Sequence, residues 1–317
     1  MKQTDLFNYQ TEAMRILVNS FEKNKMVHAY LLDGEPGSGT LDACIYMAKK
    51  LICKNNNSPC MKCNDCKKID SLSHLDLIYI EPIADMIKKE QIALLIQELS
   101  TSSMDSGTKV YIIKEAEKMN TAAANSLLKL LEEPHKNHYI FLTTTNYKRI
   151  LPTIVSRTQV IHFKPVPRTY LLEKLKDCGI EQDIGYVVSY LTSEFETAMK
   201  YIEEGKITNL LIVAKKIVDK DLKGKDSYVE YYRNRLLFID EKEKKYHRFF
   251  LDILILIYQE LLKKENGKYF SDIIKDLNNN ITTEEIIRKL ELLNIYQERF
   301  NYHINLDLQY TSLFSKL

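Results

Sequence analysis

A short apolar run, "HAYLLDG", breaks into the glycine-rich loop "GEPGSGT" and passes at once into the helical pattern "LDACIYMAKKLIC". Few arrangements suit such a triplet. A wholly apolar strand followed by a helix has to be covered on both faces, which is the condition of a strand inside a parallel sheet. The alternation continues: "LDLIYIEP", "KVYIIKE", "HYIFLTTT" and "TQVIHFKP" read as further strands with helical segments between them. "YQTEAMRILVNSFEKN" adds an N-terminal helix with Ala13, Leu17 and Phe21 on one face. The spacing predicts the α/β class.

Strand signals cease after "FKPVPRTY", where Pro165 and Pro167 mark a boundary. The stretch 165–206 carries short helical patterns that end near Gly205, and 207–317 reads as almost wholly helical. Three units are therefore expected: an α/β domain over 1–164, a small helical domain over 165–206 and a C-terminal helical domain over 207–317. A net charge of +2 does not demand nucleic acid as the main partner. The opening "MKQTDLFNYQ" lacks the apolar core of a secretory signal. The most apolar run, "FFLDILILIYQELL" at 249–262, is interrupted by Asp252, Gln259 and Glu260, so a buried helix is expected there and not a membrane span. The expected compartment is the cytoplasm.

Gly34, Gly37 and Gly39 keep the glycine spacing of a phosphate-binding loop placed between a strand and a helix. In such a loop backbone N–H groups cradle phosphate, a lysine reaches the β/γ oxygens and a hydroxyl holds Mg²⁺. Here Thr40 stands at the lysine position and Leu41 at the hydroxyl position, with Glu35 and Asp42 adding negative charge nearby. A threonine hydroxyl can bond a phosphate but cannot neutralise it. The second half of such a site is an acid at the end of a later strand, and "KVYIIKEAEKMN" puts Lys114 there, followed by Glu115. With lysine, hydroxyl and acid all missing, the residues predict weak or no nucleotide binding and no hydrolysis. Lys114 could pair with Glu35 or Asp42 in the vacated space. The plainer reading is a glycine-rich turn with no ligand.

"CKNNNSPCMKCNDCKK" carries Cys53, Cys60, Cys63 and Cys66 within an insert spanning 53–66. Two C-x₂-C steps sharing Cys63, with one further cysteine upstream, suit a tetrahedral Cys₄ zinc site. Four protein ligands leave no open position, so such a metal is structural. "KNNNSP" reads as a stretch free to turn. Cys44 and Cys178 stand apart and are expected to act as small core residues.

Together these features resemble the bacterial DNA polymerase III clamp-loader subunits, and among them the delta-prime branch. The resemblance rests on "HAYLLDGEPGSGT", the four-cysteine insert, "HLDLIYIEP", "KVYIIKEAEKMNTAAANSLLKLLEEP" and "TTTNYKRILPTIVSRTQVIHF". The C-terminal third matches only in being helical. What the resemblance implies is an AAA+ module, made of a P-loop-type parallel-sheet domain with a helical lid, followed by an all-helical collar that joins subunits into a ring. It implies a subunit that is no enzyme on its own and binds no ATP, working with gamma/tau ATPase subunits and a delta subunit. Through that complex it would help load the sliding clamp on primer–template DNA during replication.

The same resemblance gives roles to single residues. Arg157, with Ser156 supporting it in "IVSRTQ", matches the arginine finger that projects into a neighbouring subunit's ATP site. Where the family motif continues with Cys, this chain has Thr158. Thr144, Thr145 and Asn146 fall at a polar sensor position, and "SYLTSEFETAMKYI" offers Lys200 but no sensor arginine. In "NTAAANSLLKLLEEP", Leu127, Leu128 and Leu131 are expected in a core, with Glu132 and Glu133 near the subunit junction. His28, His74 and His162 show no acidic or thiol partner by spacing and are assigned to structural hydrogen bonding. Two other readings stay open at this point: an active gamma/tau-type AAA+ ATPase with an unorthodox loop, against which Thr40, Leu41 and Lys114 argue, and a zinc-dependent nucleic-acid-binding module.

Overall fold

The computed structural model describes residues 3–101, 107–225, 227–234, 244–263, 268–270, 273, 281–299 and 305–317. Residues 1–2 and 102–106 of the expected α/β domain and the remaining stretches of the expected collar lie outside the described residues. The chain divides into two compact units, Met1–Val166 and Pro167–Leu317.

In the first unit, helices α1 (Gln3–Tyr9) and α2 (Thr11–Glu22) precede strand β1 (Ala29–Asp33), α3 (Thr40–Ile52) and α4 (Asn64–Asp70). There follow β2 (Leu77–Ile80), α5 (Lys89–Thr101), β3 (Lys109–Ile113), α6 (Thr121–Glu132), β4 (His138–Thr144), a short α7 (Pro152–Val155) and β5 (Gln159–His162). The strands form one five-stranded sheet in the order β2-β3-β4-β1-β5. Every pairing is parallel, with Leu31 opposite Leu142 on one side and Val160 on the other. All five strands read from the sequence are present.

Strand periodicity explains why these runs are apolar throughout. Successive side chains point to opposite faces, and both faces are covered. Tyr30, Leu32, Val110, Ile112 and Phe141 meet Met14, Leu17 and Met47 from α2 and α3 on one side. Ala29, Leu31, Tyr111, Ile113 and Leu142 meet Ile92, Leu127 and Ile154 on the other. Along α6 the buried leucines are 127, 130 and 131, while Leu128 is only partly buried. The i, i+3, i+4 stripe of a helix turned Leu130 inward where the sequence reading had placed Leu128.

The second unit is built of helices over Arg168–Asp177, Gln182–Leu191, Phe195–Glu203, Lys206–Leu222, Ser227–Asn234, Lys244–Leu262, Thr283–Arg299 and Leu306–Phe314. One apolar cluster runs from Leu171 and Leu175 through Leu211, Ala214 and Leu254 to Leu313. The expected buried helix over 249–262 lies within Lys244–Leu262, with Phe250, Leu254 and Ile257 fully buried. Its Glu260 is 1% exposed and is satisfied by the Tyr186 hydroxyl, the Lys268 amide and the Lys263 ammonium. Among the described residues no helix is long and apolar enough to cross a membrane.

One buried polar side chain closes the first unit. Gln10, between α1 and α2, is 2% exposed. Its Nε2 donates to the Ser38 carbonyl at 2.9 Å and the Lys164 carbonyl at 2.7 Å, and its Oε1 accepts from the Lys164 amide at 2.9 Å. It joins the N-terminal helices to the glycine loop and to the chain leaving β5. Gln10→Ala removes the partner of one buried and two part-buried backbone groups, so urea titration should show a loss of about 1–3 kcal/mol of unfolding free energy.

Candidate functional site

β1 ends at Asp33 and the loop turns over Gly34–Gly39 into α3. Gly37 and Gly39 have φ of 79° and 90°, the left-handed region where glycine carries no Cβ penalty. Gly34 is needed for another reason: a Cβ there would lie 2.5 Å from Ser38 Oγ and 2.8 Å from Phe163 Cβ. The Gly34 amide donates to the Thr144 carbonyl at 3.0 Å and the Ser38 amide to the Glu35 carbonyl at 3.0 Å. The loop thus has the shape of an anion cradle, held by the protein's own contacts.

The chemistry at its mouth differs. Thr40 opens α3, and Leu41 packs against the apolar cluster on that face of the sheet. Lys114 follows β3 and its ammonium lies 3.7 Å from Glu115. That local pair takes the place of the one considered with Glu35 or Asp42. Glu115 in turn holds Lys118 at 2.6 Å, and Lys118 reaches Asp85 at 3.1 Å. Hydrogen bonds donated by Lys118 to Glu115 and then to Asp85 raise the Lys118 pKa. A Mg-nucleotide asks this loop for a cation at 40, a hydroxyl at 41 and an acid at 114, and none of the three is present.

The polar residues beyond the sheet are spent on the protein. The Thr145 amide and hydroxyl both donate to Glu117 Oε1, at 3.0 and 2.7 Å. Thr144 Oγ1 accepts from the Asn146 amide, and Asn146 Oδ1 accepts from the Lys148 amide, both at 3.1 Å. Asp33 Oδ1 accepts from the Tyr147 amide at 3.1 Å, and its Oδ2 lies 2.9 Å from His162 Nδ1. His162 therefore has an acidic partner 129 positions away in the chain. His74 has two: Nε2 lies 3.5 Å from Asp65 and Nδ1 3.9 Å from Asp76. Spacing does not signal Asp33 for His162 or Asp65 for His74, whereas Asp76 stands two residues after His74 and its amide also donates to His74 Nδ1 at 3.0 Å. His28 Nε2 is buried with no hydrogen-bond partner among the described residues.

Arg157 sits just past α7, with exposed Ser156 before it. Its Nη1 donates to the Thr153 carbonyl at 3.0 Å and lies 3.5 Å from Ser156 Oγ. Its Nη2 lies 2.9 Å from Glu132 Oε1, and the side chain is 37% exposed. The guanidinium is tethered yet open to solvent, and it is on the same domain as the altered loop. Glu132, read as a junction residue, touches Arg157 directly; Glu133 is exposed.

The four insert cysteines converge. Their Sγ atoms all lie within 4.8 Å of one another, with 3.9 Å between Cys53 and Cys63 and 4.0 Å between Cys60 and Cys66. Four sulfurs at 2.3 Å from one zinc would be about 3.8 Å apart. No disulfide links any of them. The Cys63 amide points to Cys60 Sγ at 3.3 Å and the Cys66 amide to Cys63 Sγ at 3.4 Å. Asn55 Nδ2 donates to Cys60 Sγ at 3.0 Å and lies 3.7 Å from Cys53 Sγ. Backbone hydrogen bonds from Lys62 and Cys63 bring the Cys60 thiol down to about 6, while burial pushes Cys66 up to about 12. Donors aimed at sulfur favour thiolates, the form a metal binds. Sequence reading treated the Asn-rich stretch as a free turn and missed Asn55; an amide between two ligand cysteines was the available signal. Cys44 is fully buried as expected, whereas Cys178 is exposed.

A family model described as "DNA polymerase III, delta subunit" matches residues 9–167. DNA polymerase III subunit delta' of Bacillus subtilis is 31% identical over 307 residues, which covers 95% of this chain and 93% of that protein. DNA polymerase III subunit gamma/tau of Mycoplasma genitalium is 31% identical over 177 residues, covering 55% of this chain and 30% of that protein. Among solved structures, a gamma-subunit-related protein of Thermotoga maritima aligns over 96% of this chain and 98% of its own at 20% identity, with a TM-score of 0.45.

The close approach at Gly34 gives a direct test of the loop. Gly34→Ala should destabilise the first unit by about 1–3 kcal/mol, read as an earlier urea midpoint with an unchanged slope.

Proposed function

The chain belongs to the DNA polymerase III delta' family, and on that premise we propose that it serves the clamp loader as a subunit without an ATPase cycle of its own. Its partners in this reading are gamma/tau-type ATPase subunits and a delta subunit, assembled through the collar at 207–317, with the lid at 165–206 between. Sliding clamp and primer–template DNA are reached through the complex, in the cytoplasm.

The observation that carries the reading is the division of charge within one domain. The loop at Gly34–Gly39 keeps its shape but has Thr40, Leu41 and Lys114 where cation, hydroxyl and acid are required. Meanwhile Arg157 holds a permanently charged, planar fork of donors at the surface. A guanidinium cannot be switched off by pH and matches phosphate oxygens, so its use is to stabilise charge developing on a γ-phosphate bound by the adjacent subunit. Ser156 supports it from the preceding position. The Cys53, Cys60, Cys63 and Cys66 thiolates would hold zinc in a closed tetrahedral site. That metal would tie α3 to α4 and take no part in chemistry.

Three measurements check this. In a loader reconstituted with gamma/tau-type ATPases, Arg157→Ala should fold and assemble but lower hydrolysis at the site it serves by about 10³-fold. Unchanged hydrolysis removes the finger. The isolated chain should show no micromolar binding of labelled Mg-ATP and no turnover; binding with turnover would favour the gamma/tau-type ATPase reading. Metal analysis should find one zinc per chain, lost in Cys63→Ser, with apparent affinity falling as pH drops because protons compete for the sulfurs.

A further inference from the structure

We propose that Glu132 is a positioning residue for Arg157: its carboxylate fixes the orientation of the guanidinium before any phosphate arrives. This rests on the finger reading above and deepens it.

The geometry is a two-sided hold. Nη1 is bonded to Thr153, on the short helix α7 that ends just before Arg157, and Nη2 to Glu132, the last residue of α6. A long arginine side chain samples many rotamers, and their entropy opposes any single pose. Two acceptors on separate segments, one at each terminal nitrogen, fix the plane of the group. The hold is incomplete in a useful way. A guanidinium has five N–H donors, and Nε–H meets no acceptor among the described residues. Since the Glu132 contact is made through one nitrogen, and Arg157 is 37% exposed, the remaining donors face solvent.

The placement of Glu132 supports the same conclusion. It closes a 12-residue helix, where a carboxylate opposes the helix macrodipole. It is half exposed and contributes no packing to the core. Neither helix stability nor burial accounts for an acid there. Its contact with Arg157 does.

Steady-state ATP hydrolysis by the loader reconstituted with gamma/tau-type ATPases tests this, using Glu132→Ala, Glu132→Asp, Glu132→Gln, Arg157→Ala and the double Arg157→Ala/Glu132→Ala. Misplacing a reacting group by about an ångström can cost on the order of 10²-fold. Glu132→Ala is therefore expected to lower kcat about tenfold with KM little changed. Glu132→Gln, which keeps an acceptor oxygen in place, should recover most of that loss. Glu132→Asp, one methylene short, should fall between. The double variant should be no slower than Arg157→Ala, since Glu132 acts only through that arginine. Wild-type kcat in Glu132→Ala overturns the proposal. So does Glu132→Gln as slow as Glu132→Ala, or faster turnover in both, which would make the carboxylate a restraint. If Arg157→Ala alone leaves hydrolysis unchanged, the finger reading itself has failed, and the proposal falls with it by a separate arm.

Discussion

The hydrogen bonds of Gln10 hold a loop of phosphate-cradle shape by the protein's own contacts. In a working cradle the ligand's oxygens satisfy backbone N–H groups and help to hold the turn. Here the turn is closed from behind. Ser38 and Lys164 are joined through one buried amide, and Gly34 is pressed against Ser38 and Phe163 too closely to admit any side chain. Shape and chemistry are therefore separable. Thr40, Leu41 and Lys114 can replace a cation, a hydroxyl and an acid while the strand, loop and helix remain. Leu41 even adds to the core that the polar residue would have left uncovered.

That separation frees the domain to place charge elsewhere. Lys114 and Lys118 are absorbed by Glu115 and Asp85, and Asp33 by His162 and the Tyr147 amide. Thr145 is taken up by Glu117. These charged and polar groups thus have partners inside the domain. Arg157 is held differently, by one carbonyl and one exposed carboxylate, with donors to spare. A surface ion pair of this kind contributes at most about 1 kcal/mol to stability. In the reading proposed above its consequence is orientation, the quantity that would matter if the target is an anion on another molecule.

The apolar runs made the sheet legible, because a strand buried on both faces must be apolar at every position and no surface helix reads that way. The cysteines were legible for a related reason: metal coordination fixes residue type and spacing together. Charge partners were not legible. Asp33 meets His162 across 129 positions, and Arg157 meets Glu132 only because α6 and α7 pack side by side. Such pairs depend on the crossover order β2-β3-β4-β1-β5, which the sequence pattern does not encode locally. Gln10 escaped notice because a lone glutamine between two helices looks like any surface residue. Leu128 was placed inward instead of Leu130 because a leucine-rich helix offers several stripes, and only packing selects one.

The loop and the cysteine cluster share one rod. α3 begins at Gly39, its N-cap, and ends at Cys53, its C-cap. Its first turn is fixed by the Gln10 bonds to Ser38, and its last is joined to α4 through the thiol cluster, whose Cys63 caps that helix. Lys49 adds an ion pair to Asp70, and Lys50 one to Glu22 at 3.7 Å. A metal bound by the four sulfurs would therefore act on the loop through 13 residues of helix, without touching it. In the reading proposed above, where the loop receives no help from a nucleotide, contacts at both ends of that helix would keep the domain rigid. A rigid domain is what an arginine needs if it is to serve a site on the next subunit.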